Sequence, residues 1–287
     1  MTSSVAYEQI LFEQRGRVGV ITFNRPDKLN PWSRVMAHEV CDAIQRCNED
    51  AGVGAIVLTG AGRGYCSGAE IRAASTPAAV GAGLRPARPD SGDDAEPEGQ
   101  RLQREVQEGF GPDNDPIPIF FRKSKPIVCA INGVAVGIGL THALVADARI
   151  ASDRARLGAV FVRVGFTPEL ASTHYLAQIA GLQNALELML TGRIIDADEA
   201  FQRGLVNKVV PHEALLEEAI AFAAQIAANP TWQVLQTKRM IWEFESEQDT
   251  RAILAAEGPI FAEAARSPSR DEAIQAFRQK REPHFHR

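Results

Sequence analysis

The sequence predicts an α/β fold, with a core of crossover units and a mainly helical C-terminal region. Three observations point there. Short apolar runs of strand length alternate with helix-spaced apolar patterns, two of those runs lead straight into glycine-rich turns, and from Asp196 onward the periodicity is mostly helical.

Apolar runs predict strands at Val18 to Phe23, Ala55 to Thr59, Ile127 to Ile131 and roughly Asp147 to Ala151. Met36, Val40, Ala43, Ile44 and Cys47 recur at helical spacing, and Gly137 to Ala146 is a small-residue stretch suited to a buried helix. The order β-α-β, insert, β-α-β is that of crossover units. Residues 75–116 interrupt it with proline, glycine and acidic residues, which predict a long flexible insert with one short helix near 100–108. Thr167 as N-cap with Pro168 at the first helical position predicts a helix start there. Asp196 followed by Glu199 predicts another, closed by Gly204 and followed by a short strand from Leu205 to Val210. Helices are expected over 213–228, 231–246, 249–265 and 270–281. The division expected is a core over 1–204 and a C-terminal region over 205–287.

Composition narrows the function classes. With 45% hydrophobic residues the chain has apolar material for a large core, and its net charge of -5 with scattered Lys and Arg argues against a nucleic-acid partner. Cys41, Cys47, Cys66 and Cys129 show neither a C-x-x-C pair nor metal-ligand spacing, so they read as reduced thiols and no metal is expected. No apolar run reaches the roughly 20 residues of a spanning helix, and residues 1–14 lack an export or organellar pattern; a cytoplasmic protein without membrane contact is expected.

Two glycine-rich turns carry the first chemical signal. The strand Ala55 to Thr59 runs into Gly60, Gly62 and Gly64, then Tyr65-Cys66-Ser67-Gly68-Ala69-Glu70-Ile71; a tight connection and a close backbone approach to a ligand are both compatible with it. It is not the dinucleotide fingerprint, because no G-x-G-x-x-G opens a helix there. The strand Ile127 to Ile131 leads into Asn132-Gly133-Val134-Ala135-Val136-Gly137-Ile138-Gly139-Leu140, a second strand delivering glycines to a helix start. Free N–H groups at a helix start can face a developing oxyanion, and glycines can equally serve close packing.

Taken together the two turns resemble the oxyanion-hole segments of the enoyl-CoA hydratase/isomerase (crotonase) family. Further matches are Asn24-Arg25-Pro26-Asp27-Lys28-Leu29-Asn30 to its N-terminal CoA-contacting turn, Leu188 to Ala200 to its following helix, and Phe277-Arg278-Gln279-Lys280-Arg281 to its C-terminal helix. The likeness spans residues 5 to 285, with the insert poorly matched. It implies a crotonase-like spiral core of repeated ββα turns, C-terminal helices that trimerise, and often a hexamer of two trimers. It implies that the amides of Ala69 and Ile138 bind the thioester oxygen. Glu70, Ile71 and Arg72 would lie along the CoA and pantetheine path, Lys28 and Leu29 on the CoA-contacting turn. Phe277 and Lys280 would come from a neighbouring subunit. Coenzyme A enters as part of the acyl-CoA substrate, with no permanently bound cofactor.

Hydratases of this family resemble one another in carrying two glutamates, and here the sequence departs. Thr141 stands at the first position and Phe161 at the second, neither able to exchange a proton near neutrality. Glu169 remains, at a position where some family isomerases and some members with nucleophilic carboxylates carry their acid. An acidic residue in a first helical turn is also favoured by the helix dipole alone. One carboxylate suits proton shuttling between two carbons better than the addition of water. The expected function is therefore an acyl-CoA enzyme, isomerase-like or single-glutamate hydratase-like. The alternatives are a catalytically inactive acyl-CoA-binding homologue, or a hydrolase or dehalogenase attacking through Glu169. His142 reads as a core histidine, and Ser67 lacks triad partners at a suggestive spacing.

Overall fold

The computed structural model describes residues 6–70 and 108–286. Two sheets grow side by side as the chain winds. The larger runs β1 (Ile10–Arg15), β2 (Val18–Phe23), β3 (Ala55–Gly60), β7 (Ile127–Ile131), β9 (Ala148–Ser152), β12 (Lys208–Val210). The smaller runs β11 (Ile194–Asp196), β10 (Arg156–Gly158), β8 (Val134–Val136), β4 (Gly64–Cys66). From β3 onward the chain visits each in turn: β3 then β4, β7 then β8, β9 then β10. A helix follows each pair: α2 (Ile117–Lys123), α3 (Ile138–Leu144) and α4 (Ser172–Ala180). This is the spiral of ββα turns, with parallel pairing from β2 through β12 in the larger sheet.

Burial on both faces explains why the long strands read as continuous apolar runs. Ile21, Phe23, Ile56, Leu58, Ile127, Cys129 and Ile131 point into the main core, with Met36, Val40 and Ile44 of α1 (Arg34–Glu49). The alternate residues Val18, Val20, Ala55, Val57, Val128 and Ala130 point the other way, onto Leu215, Ala219, Ala223 and Ala227 of α7 (Leu215–Ala227). Those four recur every four residues, the spacing of one helix face. Ser33 caps α1 by accepting from the Met36 amide, worth about 1 kcal/mol.

After α5 (Leu182–Thr191) and α6 (Ala197–Gln202), whose cap Asp196 accepts from the Glu199 amide as expected, come α7, α8 (Thr231–Glu243), α9 (Thr250–Ala264) and α10 (Pro268–Gln279). Lys238 fastens α8 to the core: its buried Nζ donates to Asp147 Oδ2 at 2.7 Å and to the Phe121 carbonyl at 2.8 Å. Among the described residues no helix is long and apolar enough to cross a membrane.

Several local expectations need correction. Thr167 and Pro168 start no helix; α4 begins at Ser172, after Leu170 and Ala171 with φ of 52° and 55°. A left-handed Ala171 occupies the cap position, so the capping signal at Thr167 is overridden by the path of the loop. The strand expected from Leu205 is confined to Lys208–Val210. The end of the insert is ordered, as the hairpin of β5 (Gly109–Phe110) and β6 (Asp115–Pro116). Residues 75–107, and with them nearly all of the helix expected near 100–108, lie outside the described residues.

Candidate active site

The two glycine turns leave neighbouring strands. β4 and β8 pair in parallel with Cys66 opposite Ala135, so Ala69 and Ile138 each lie three residues beyond matched positions. Close packing keeps them together. A Cβ on Gly137 would lie 3.8 Å from the Gly68 Cα, and one on Gly139 would lie 2.3 Å from the Cys66 carbonyl oxygen, a contact no side chain tolerates. Gly68 and Gly137 both have positive φ, 102° and 54°, which lets each turn leave its strand sharply.

Trp32 sets the direction of the first amide. It forms a parallel bridge with Ala69, donating from its own amide to the Gly68 carbonyl and accepting from the Glu70 amide, both at 2.8 Å. Successive residues of an extended chain face opposite sides, so the Ala69 N–H is turned away from Trp32. In the second turn the Gly137 amide is spent on the Gly158 carbonyl at 3.1 Å, and Ile138 opens α3, where an N–H has no acceptor within the helix. Among the described residues neither Ala69 nor Ile138 donates its amide to an acceptor.

One turn along α3, Thr141 faces Glu169. Its hydroxyl donates to Glu169 Oε1 at 2.6 Å and lies 3.3 Å from the Ile138 carbonyl oxygen. Glu169 sits in the loop between a 3-10 turn (Val160–Val164) and α4, half-buried as a residue but with Oε2 shielded from solvent and lacking a hydrogen-bond partner among the described residues. Burial raises its pKa to about 7 against the opposing effect of the Thr141 bond. Because Glu169 precedes α4 by three residues, a helix-dipole role for it falls away. Its carbonyl instead accepts from the Ser172 amide at 3.0 Å. A carboxyl poised near neutrality beside two unspent backbone donors can remove a proton next to a carbonyl and return it.

His142, next on α3, is fully buried and packs on Trp32 with 4.7 Å between ring centres. Its Nε2 meets the Tyr65 hydroxyl at 3.0 Å, and burial lowers its pKa to about 3. It is a neutral core histidine that joins the helix of the second turn to the strand of the first. Phe161 is buried in the 3-10 turn.

The other expected site residues fall into four groups. Lys28 and Leu29 lie against the first turn: the Ser67 amide donates to the Leu29 carbonyl at 3.0 Å and the Ser67 hydroxyl to the Lys28 carbonyl at 3.3 Å. Glu70 is ion-paired at 2.6 Å with Arg25, from the same quoted turn. Ile71 and Arg72 lie outside the described residues. Phe277 and Lys280 stand exposed at the end of α10. Nothing local in the sequence marks Trp32, or the pairing of Arg25 within its turn: their partners lie 37 and 45 residues away.

Comparison with known proteins gives the family. The family model for enoyl-CoA hydratase/isomerase matches residues 13–84 and 91–287. The 1,2-epoxyphenylacetyl-CoA isomerase of Escherichia coli is 31% identical over 279 residues, covering 97% of this chain and 98% of that protein. The crotonyl-CoA hydratase of Syntrophomonas wolfei is 30% identical over 282 residues, covering 98% and 99%. The crystal structure of an enoyl-CoA hydratase from Bacillus anthracis superposes with a TM-score of 0.81 at 28% identity, covering 97% of this chain and 100% of that one. Matched along nearly its whole length by sequence and by fold, the chain is an enzyme of the enoyl-CoA hydratase/isomerase family.

Proposed function

We propose that this enzyme acts on enoyl-CoA thioesters with Glu169 as its single acid-base group, moving a double bond from the 3 to the 2 position or, less readily, adding water. The names of the relatives, a crotonyl-CoA hydratase and an epoxyphenylacetyl-CoA isomerase, support a CoA thioester as substrate. The observation that carries the proposal is that Glu169 meets a hydroxyl, Thr141, where a hydratase would bring a second carboxylate.

In this mechanism the amides of Ala69 and Ile138 hold the thioester oxygen. One such donor is worth roughly 2.7 to 4 kcal/mol as charge gathers there. Glu169 takes a proton from the carbon beside the carbonyl, the electron pair spreads into a dienolate, and the acid just formed protonates the far carbon. CoA runs along Lys28, Leu29, Glu70, Ile71 and Arg72, and Phe277 and Lys280 reach it from a neighbouring copy in a trimer or hexamer. No permanently bound cofactor is needed.

The competing possibilities have less physical support. A homologue that only binds CoA thioesters gains nothing from a shielded carboxylate oxygen without a partner, which costs stability. Covalent attack needs an ionised nucleophile, whereas a pKa of about 7 suits proton transfer in both directions. A panel of 2-enoyl and 3-enoyl CoA thioesters decides among them. Conversion of 3-enoyl to 2-enoyl as the fastest reaction is expected. Binding without turnover would favour the inert alternative; release of free CoA through an acyl anhydride on Glu169, or loss of halide with an ester trapped there, would favour the covalent one.

A further inference from the structure

Thr141 has one hydroxyl proton and two acceptors within reach. Glu169 Oε1 lies at 2.6 Å and the Ile138 carbonyl oxygen at 3.3 Å. The first is the shorter contact and charge-assisted once the carboxyl ionises, so it takes the proton. Oε2 has no partner at all among the described residues. A proton placed on Oε1 would force Thr141 to accept and turn its own proton to the poorer contact with Ile138. A proton on Oε2 disturbs nothing.

We infer that Thr141 is a positioning residue that holds Oε1 in both protonation states and leaves Oε2 as the oxygen that carries the proton. The inference rests on Glu169 being the acid-base group and adds which atom works and what aims it. In the forward step the C–H bond beside the thioester carbonyl breaks, its electron pair passes into the dienolate and the proton goes to Oε2. In the return step the dienolate electrons form the new C–H bond with that same proton and the carboxylate is regenerated. Nothing is oxidised or reduced. Thr141, fixed one turn from Ile138 on α3, also ties the carboxylate to the helix that supplies one of the oxyanion donors.

Other ionisable groups around Glu169 are accounted for. On β4 the Cys66 thiol is pushed up to about 12 by burial, with the charge of Glu169 adding to the effect. On α3, His142 is turned to Tyr65 at 3.0 Å, and on α4, His174 is bonded to Glu245 at 2.7 Å. None of these shares a hydrogen bond with Glu169.

The test compares the wild type with Thr141→Val and Thr141→Ser on a 3-enoyl-CoA substrate, following kcat and KM against pH. Alongside, the Glu169 carboxyl is titrated by 13C NMR, its signal assigned by absence in Glu169→Gln. Loss of a hydrogen bond to the ionised carboxylate moves the acidic limb and the NMR titration of Thr141→Val up by about one pH unit. In that variant kcat is expected to fall about tenfold with KM unchanged, while Thr141→Ser keeps the wild-type profile. If Thr141→Val does not fold, Thr141→Ala read by the same titration decides. A Thr141→Val profile that superposes on the wild type, or a Ser variant that shifts as far as Val, overturns the positioning role. Turnover surviving in Glu169→Gln would instead overturn the mechanism beneath it.

Discussion

In the proposed mechanism Glu169 trades stability for chemistry. Its folded-state pKa of about 7 lies above the ordinary glutamate value of 4.5, so the native protein binds this proton more tightly than the unfolded chain does. Stability from this group is complete below pH 4.5 and is lost as pH rises through 7. The loss is on the order of 3 kcal/mol at most. Glu169→Gln, which cannot ionise, should therefore melt above the wild type at pH 8, and the two curves should converge near pH 4.5. A thermal-melt series across that range checks it, and parallel melting curves would contradict the burial assigned to this carboxyl. The sequence brought Glu169 forward only through family resemblance, because its one local signal, a helix start at Thr167, misplaces α4 by several residues. Thr141 was visible only as a departure from a pattern. Its bond to Glu169 spans 28 residues, beyond any local periodicity.

At the scale of elements, the two oxyanion donors of the proposed mechanism depend on two short strands and the turns that leave them. β4 and β8 have three residues each, too short for a period of two to declare itself, and so they went unread while the long buried strands stood out. The glycines beyond them were legible as close-approach positions, although which approach each serves needed the pairing of β4 with β8. Gly139 shows the difference: it touches no ligand candidate but lets α3 rest on the Cys66 carbonyl. Gly139→Ala should push the helix, and with it the Ile138 amide, off the first turn. Because misplacing one oxyanion donor costs roughly 10² to 10³ in kcat, the variant is expected to lose at least 100-fold while keeping its far-UV circular dichroism. Near-wild-type kcat in a folded Gly139→Ala enzyme would mean that contact is not what aligns the donors.

For the whole molecule, both faces of the main sheet are covered, whereas several outer helix faces are not. Leu182, Leu186 and Leu190 recur every four residues on α5 and are all exposed, as are Ile194 and Phe201 nearby and Phe277 on α10. An apolar stripe of this kind on a folded domain suits contact with a second copy of the chain. A homotrimer, or a hexamer of two trimers, is expected by light scattering, and Leu186→Glu with Leu190→Glu should reduce the assembly mass. If Phe277 and Lys280 serve a neighbouring copy, KM for the CoA thioester should rise in that variant. A wild-type monomer of full activity would remove both expectations. The helical C-terminal region was legible from periodicity to within a few residues, but Lys238, buried against Asp147, was not, since sequence gives no reason to bury a lysine on α8.

In the proposed mechanism one carboxylate does all the proton transfer. Its most direct test is single-turnover conversion of a 3-enoyl-CoA by the wild type and by Glu169→Gln, with the dissociation constant of the thioester measured on both. A rate lowered by about 10³ or more, with binding unchanged within a few-fold, is the predicted result. A Gln variant that turns over at close to the wild-type rate would contradict it.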